Sequence, residues 1–272
     1  MEFVSRYVSH QPDANGMVPY SDAEHQVWKK LFERQQAILP NRACDEYMAG
    51  LHCLDLSADK IPQLPDISRK LLALTGWRVE PVAALISARE FFELLATRRF
   101  PAATFIRVEE ELDYVQEPDI FHEIFGHCPM LTNPVYADFI CTYAKKVLEF
   151  SEEHWPLLQR LFWFTVEFGL IQTKNGLRAY GGGILSSISE TAYSVESDIP
   201  MRVLFNPVVA FRTPYRIDML QRVYFVIDTL QSLYDFVTED IALLMKRARE
   251  LGEYPPFFPV DENNPSIHIH VC

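Results

Sequence analysis

The apolar positions of this chain recur mostly at helical spacing, broken at intervals by proline and glycine. Residues 1–20 are polar, carry Pro12, Gly16 and Pro19, and read as an irregular arm. Ser21 or Asp22 then caps a helix with apolar positions Val27, Leu31, Ile38 and Leu39, which Pro40 ends. A second helix is expected within 41–60, and Asp66 is expected to cap a third that stops at Gly76. Trp77 to Val82 reads as a short strand or extended loop. Ser87 and Glu90 form a capping box for the helix through Phe91 and Leu95, and Phe100 to Arg107 suits a strand.

Beyond Glu109-Glu110-Glu111, a solvated loop, the pattern predicts long helices from Pro134 to about Phe150 and from Trp155 to Leu170. Gly169 and Gly176 mark a turn, Ser186 to Glu196 reads as helix, and Pro200 to Pro214 as strand and loop. Asp218 to Leu251 predicts one or two amphipathic helices, and Ile267 to Val271 alternates like an edge strand. No internal repeat or linker interrupts this order. The expectation is one mainly α domain with a few short β-strands over 1–272, with an arm at 1–20 and a tail at 260–272.

Composition narrows the function. A net charge of -12 and no basic run argue against nucleic acid as a partner. No apolar run approaches a membrane span, and no signal core follows Met1. The five cysteines are odd in number and include no Cys-x-x-Cys pair, which fits reduced thiols in a cytoplasm.

Chemistry concentrates at Pro118-Asp119-Ile120-Phe121-His122-Glu123-Ile124-Phe125-Gly126-His127-Cys128-Pro129. Two histidines among apolar residues need partners: either backbone groups in an ordinary core or a metal ion. Their spacing of five would separate the side chains by about 140° on a regular helix. The helix must therefore distort or end between them, as Gly126 and Pro129 permit. Glu167 is a lone carboxylate inside the apolar stretch 163–170, where it needs an arginine or a metal. Two histidines and one carboxylate are the donor set of non-haem Fe(II) oxygenases, although a catalytic zinc site can use the same atoms. Arg107, in an apolar segment, reads as a structural ion pair or a carboxylate clamp. His268 and His270 could hold a metal only loosely, and Tyr180-Gly181-Gly182-Gly183 lacks the lysine of a phosphate loop.

These stretches together resemble the pterin-dependent aromatic amino acid hydroxylases, most closely the compact bacterial members that act on phenylalanine. The match is carried by 118–127, by Trp163-Phe164-Thr165-Val166-Glu167-Phe168-Gly169-Leu170, and by Ala179 to Gly183 with Ser186, Ser187 and Glu190. Ile61 to Leu64 and Pro81-Val82-Ala83 with Ser87, Arg89 and Phe91 also fit. The resemblance extends from about Tyr20 to about Pro259.

It implies that His122, His127 and Glu167 hold Fe(II), and that a tetrahydropterin (tetrahydrobiopterin or a bacterial analogue) binds near Leu85, Ser87, Phe91 and Glu123. Phe91 would stack on the pterin. Glu123 and Glu167 would be the two acids of the reacting centre. Arg107 would pair with the substrate carboxylate, and Tyr114, Pro118, Trp163, Phe168, Gly183, Ser186 and Glu190 would line the amino acid pocket or its surroundings. The implied activity is a monooxygenase converting L-phenylalanine to L-tyrosine with O2, one oxygen atom going to the pterin and one to the ring. Tyrosine or tryptophan is the neighbouring substrate choice. The remoter readings are a zinc hydrolase with Glu123 as general base and an inactive binding protein with a structural metal. Animal members have Thr-Pro at Val115-Gln116, so a hydroxyl contact to substrate is expected to be absent. The chain is too short for both their regulatory domain and their tetramerisation helix, so a monomer or small homo-oligomer is expected.

Overall fold

Ser21 opens α1 (Asp22–Ile38) through a reciprocal cap with Glu24, and the helix buries Val27, Trp28, Leu31 and Phe32. This helix, like the rest of the description, comes from a computed structural model that describes residues 6–258; the alternating stretch 267–271 lies outside them. After α2 (Asp45–Leu54), α3 (Leu64–Thr75) has Gln63 at its N-cap and Pro65 in its first turn. Asp66, the expected cap, thus lies inside that turn, where the helix dipole still favours it. Gly76, at φ 75°, closes α3 as expected.

β1 (Arg78–Val82), α4 (Ala88–Ala96) and β2 (Arg99–Ala103) form a strand–helix–strand unit with the strands parallel. Ser87 caps α4 by accepting from the Glu90 N–H at 3.2 Å. α5 (Pro134–Leu148), capped by Asn133, buries Tyr136, Phe139, Ile140, Tyr143 and Val147.

The single long helix expected from Trp155 is divided. α6 (Trp155–Phe162) is regular, a wide π turn follows at Trp163–Glu167, and β3 (Gly169–Thr173) then begins. β3 returns through β4 (Gly176–Ala179), a hairpin where the sequence signalled only a turn. α7 (Gly182–Leu185) and α8 (Ile188–Glu196) lead to β5 (Met201–Leu204) and then α9 (Pro207–Arg212), a short helix where loop was expected.

β6 (Val223–Ile227) corrects the helical expectation for 218–251. Its five residues are buried in succession, and a strand buried on both faces has no alternation to distinguish it from a helix. Only α10 (Leu230–Val237) and α11 (Ile241–Leu251) remain helical there. The second sheet has the order β4-β3-β6-β5, with β3, β6 and β5 parallel. The architecture is mainly helical with few strands, and one buried apolar cluster runs from Val27 to Ala248. At its centre Phe121 and Phe125 stack at 4.6 Å, with Trp28 and Phe32 edge-on to them. This aromatic packing backs the histidine segment.

Candidate active site

The spacing of five between His122 and His127 is resolved by widening the helix rather than ending it. His122–His127 is a π-helical segment, whose i→i+5 pattern brings residues five apart onto one face. The Tyr47 hydroxyl donates to the Phe125 carbonyl at 2.7 Å, giving that buried backbone group a partner. Asp119 fixes the start of the segment by accepting from the His122 N–H at 3.0 Å.

A second wide turn delivers the acid. The Phe168 N–H donates to the Trp163 carbonyl, five residues back, at 2.9 Å, and Glu167 emerges beside the histidines. The three side chains form a triangle. The Nε2 atoms of His122 and His127 are 3.0 Å apart, and the Glu167 carboxylate lies 3.3 Å from His127 and 3.7 Å from His122. Cis ligands about 2.1 Å from a metal are about 3 Å apart, so this donor set fits a divalent ion. Glu123 is near as well. Its carboxylate and one nitrogen from each histidine lie within 4.8 Å of one another, but Glu167 closes the tighter triangle.

The surroundings set the protonation that a metal needs. Ser186 Oγ donates to the Gly182 carbonyl at 2.8 Å, so it accepts from His122 Nδ1–H at 2.9 Å. That leaves the His122 Nε2 lone pair facing the triangle. Burial first, then the neighbouring His127, push His122 down to about 4, so the ring is neutral at pH 7. Burial, the largest influence, would raise Glu167, but the imidazoles of His127 and His122 and the Gly183 N–H together outweigh it and hold the carboxyl below its usual range.

The glycine run after β4 is explained by close approach. A β-carbon on Gly182 would run into the His127 ring, and one on Gly181 into the Glu167 carbonyl. Gly182→Ala is therefore expected to displace His127 and weaken Fe(II) binding by at least about tenfold, as lost support of a ligand generally does. Fe(II) titration of the metal-free variant against the unaltered chain, with circular dichroism to show retained fold, measures this.

His122 and Glu167 stand in the wall of a cavity of 340 Å³. Arg107, Tyr114, Pro118, Trp163, Phe168, Gly183, Ser186 and Glu190, all singled out in the sequence, line the same cavity. So do Val115 and Gln116. The Arg107 guanidinium is almost fully buried and held by Asp119, with Nε and Nη2 each 2.8 Å from a carboxylate oxygen. The ion-pair reading of Arg107 is met by Asp119, and Nη1 has no hydrogen-bond partner among the described residues. Burial alone would raise Asp119, but Arg107 outweighs it and holds the carboxyl below the usual range.

Glu190 is the opposite case. Burial pushes it from 4.5 up to about 7, against the bonds it accepts from Tyr224 and Gln221. A raised folded-state value stabilises fully below the unfolded pKa and is lost as pH rises through the folded one. Linkage thus lowers stability between pH 4.5 and about 7, by on the order of 3 kcal/mol. Glu190→Gln is expected to flatten that fall. Denaturation midpoints across this window check it, and a parallel decline in both proteins would assign the titration elsewhere.

None of the four residues expected from the sequence to meet the pterin lines this cavity. Ser87 is exposed and occupied as the α4 cap, Leu85 is half-buried, and Glu123 is buried within the π segment. The Phe91 ring is buried edge-on against Phe92 and Phe162, and Phe162 is itself a wall of the cavity. Two contributors were missed in the sequence, Asp119 as the partner of Arg107 and Gln221 behind Trp163. Asp119 sits twelve residues from Arg107 with nothing local to pair them, and Gln221 fell in a stretch read as helix.

The chain matches known proteins along most of its length. Residues 5–257 match the model for the biopterin-dependent aromatic amino acid hydroxylase family. The chain is 55% identical over 255 residues to the phenylalanine-4-hydroxylase of Pseudomonas aeruginosa, covering 94% of this chain and 97% of that one. A solved structure of phenylalanine hydroxylase from Legionella pneumophila superposes with a TM-score of 0.92 at 70% identity, covering 93% of this chain and all of the other. The iron- and phenylalanine-bound phenylalanine hydroxylase of Chromobacterium violaceum gives a TM-score of 0.83 at 42% identity, over 90% and 91% of the two chains.

Proposed function

Because this chain belongs to the biopterin-dependent aromatic amino acid hydroxylases, we propose that His122, His127 and Glu167 hold its Fe(II) and that the adjoining cavity holds its amino acid. Its activity is the 4-hydroxylation of L-phenylalanine to L-tyrosine with O2, Fe(II) and a tetrahydropterin. The observation that carries the site assignment is the nitrogen–nitrogen–carboxylate triangle in the wall of an aromatic cavity that also presents a buried arginine.

When bound, Fe(II) with open positions and a reduced pterin supply the electrons that activate O2. The rest is done by side chains. The Nη1 edge of Arg107, fixed from behind by Asp119, pairs with the substrate carboxylate and sets the depth of the ring. Trp163 and Phe168, whose ring centroids are 4.3 Å apart, pack against each other and together present one apolar wall to the phenyl ring. Phe162 and Pro118 complete a lining that keeps water from the reacting carbon. Ser186 keeps His122 in the tautomer that presents Nε2. Glu123, with Leu85, Ser87 and Phe91, is assigned to the pterin side.

The small-molecule partners are L-phenylalanine, O2 and the pterin. Among the described residues no helix is long and apolar enough to cross a membrane. A cytoplasmic monomer or small homo-oligomer binding neither nucleic acid nor membrane completes the proposal.

The deciding assay adds O2 to anaerobic protein, Fe(II), a tetrahydropterin and phenylalanine, and measures tyrosine. A chelator should abolish the product and added Fe(II) restore it. Absence of tyrosine together with zinc-dependent cleavage of peptides or esters would replace the reading with a hydrolase.

A further inference from the structure

Gln221 is almost fully buried at the entrance to β6, and its side-chain amide is oriented without ambiguity. Nε2 donates to the Arg216 carbonyl at 2.7 Å and to the Met219 carbonyl at 3.2 Å. Oε1 is thereby turned the other way, where it accepts from the Trp163 indole N–H at 3.0 Å. The Gln221 backbone N–H donates to Glu190 at 3.0 Å, which ties this point of the chain to α8. One amide therefore joins two walls of the amino acid cavity, the indole on one side and the rim 217–221 on the other.

The indole has few other restraints. Its ring stacks on Tyr215 at 4.9 Å and leans against Phe168 at 4.3 Å, contacts that allow it to slide in its plane. The hydrogen bond to Gln221 is the directional one.

We propose that Gln221 is a positioning residue that locks the in-plane setting of Trp163 and so fixes the part of the cavity wall against which the substrate ring seats. A correctly seated ring receives the activated oxygen. A loosely seated one lets the tetrahydropterin give two electrons and two protons to O2, yielding dihydropterin and hydrogen peroxide instead of tyrosine. The proposal rests on the phenylalanine-hydroxylating reading above. Tyrosine formation by the unaltered chain, run alongside, fails if that reading is wrong, whereas the comparison among variants addresses Gln221 alone.

The test uses iron-loaded, full-length protein. Gln221→Met keeps the side-chain length and removes every polar contact. It is expected to bind Fe(II) stoichiometrically, to raise KM for phenylalanine about tenfold, the order of one lost hydrogen bond, with a smaller change in kcat, and to release peroxide with less tyrosine per pterin oxidised. In a Trp163→Phe background, where no N–H remains, the same substitution should change KM by no more than about twofold. A KM shift that persists undiminished in that background would make Gln221 a brace for the rim only and overturn the proposal, as would unchanged KM and yield in Q221M. If Q221M does not fold, Gln221→Glu carries the test. A carboxyl kept neutral by burial retains an oxygen for the indole and an O–H for the Arg216 carbonyl. Its KM should stay within about threefold of the unaltered value, and a tenfold rise would equally overturn the assignment.

Discussion

Glu167→Ala is expected to yield a folded protein that no longer retains iron and makes no tyrosine. The carboxylate closes the donor triangle, and the two remaining imidazoles would hold Fe(II) at least a hundredfold more weakly, beyond what loss of a mere supporting contact costs. Folding should survive because the wide turn at 163–167 is held by backbone bonds and by the burial of Phe164, Thr165 and Val166. Metal analysis after gel filtration, beside a thermal melt, reads both halves of the expectation. Glu123→Ala serves as the counterpart and should keep its iron. If instead E167A retains stoichiometric iron and E123A loses it, the third ligand is Glu123 and the pterin side of the site has to be redrawn.

The second large effect is expected at Asp119. Its carboxylate, fully buried, accepts from Arg107 through the backbone N–H at 3.0 Å and through both Nε and Nη2, and also from the His122 N–H. Asp119→Ala leaves a buried guanidinium without its counter-ion. Breaking such a pair from one side costs about 3–5 kcal/mol, because the remaining charge cannot recover its hydration. For a chain of this size that lowers Tm by about 10 °C or more. KM for phenylalanine should rise as well, since Arg107 is free to swing. A double change of Arg107 and Asp119 to methionine and leucine should recover most of the stability and none of the activity. Equal melting temperatures for D119A and the unaltered chain would show that the pair contributes little.

The candidate donors stood out in the sequence, and the geometry that gathers them did not. His122, His127 and Glu167 were readable because polar atoms in apolar stretches demand partners, and the joint order of the motifs pointed to one family. The spacing of five was readable as a distortion. That it is a π segment, repeated at Trp163–Glu167, depends on how backbone carbonyls find partners such as Tyr47. β6 was hidden because continuous burial erases periodicity, and β3 was hidden behind it, since β3 pairs with β6 only after the chain has travelled more than fifty residues. Gln221 was lost with β6: once 218–251 is read as helix, the rim of the cavity disappears. Arg107 was seen as two alternatives because its partner Asp119 is chosen by the fold, not by local spacing.

The π segment at 122–127 also says something about how such a site could be made or lost. A π turn is an α-helix with one residue added. Removing Ile124 would leave His-Glu-Phe-Gly-His, the spacing of zinc peptidases, with both imidazoles still on one helical face. The two donor arrangements are thus a single codon apart. What opposes the shorter version is downstream: one residue fewer rotates everything after it by about 100°. Cys128, Met130 and Leu131, all buried, would then turn away from the core they fill. The extra residue serves the packing beyond the metal as much as the metal itself, so a one-residue deletion at this position should abolish folding before it could create a new hydrolase.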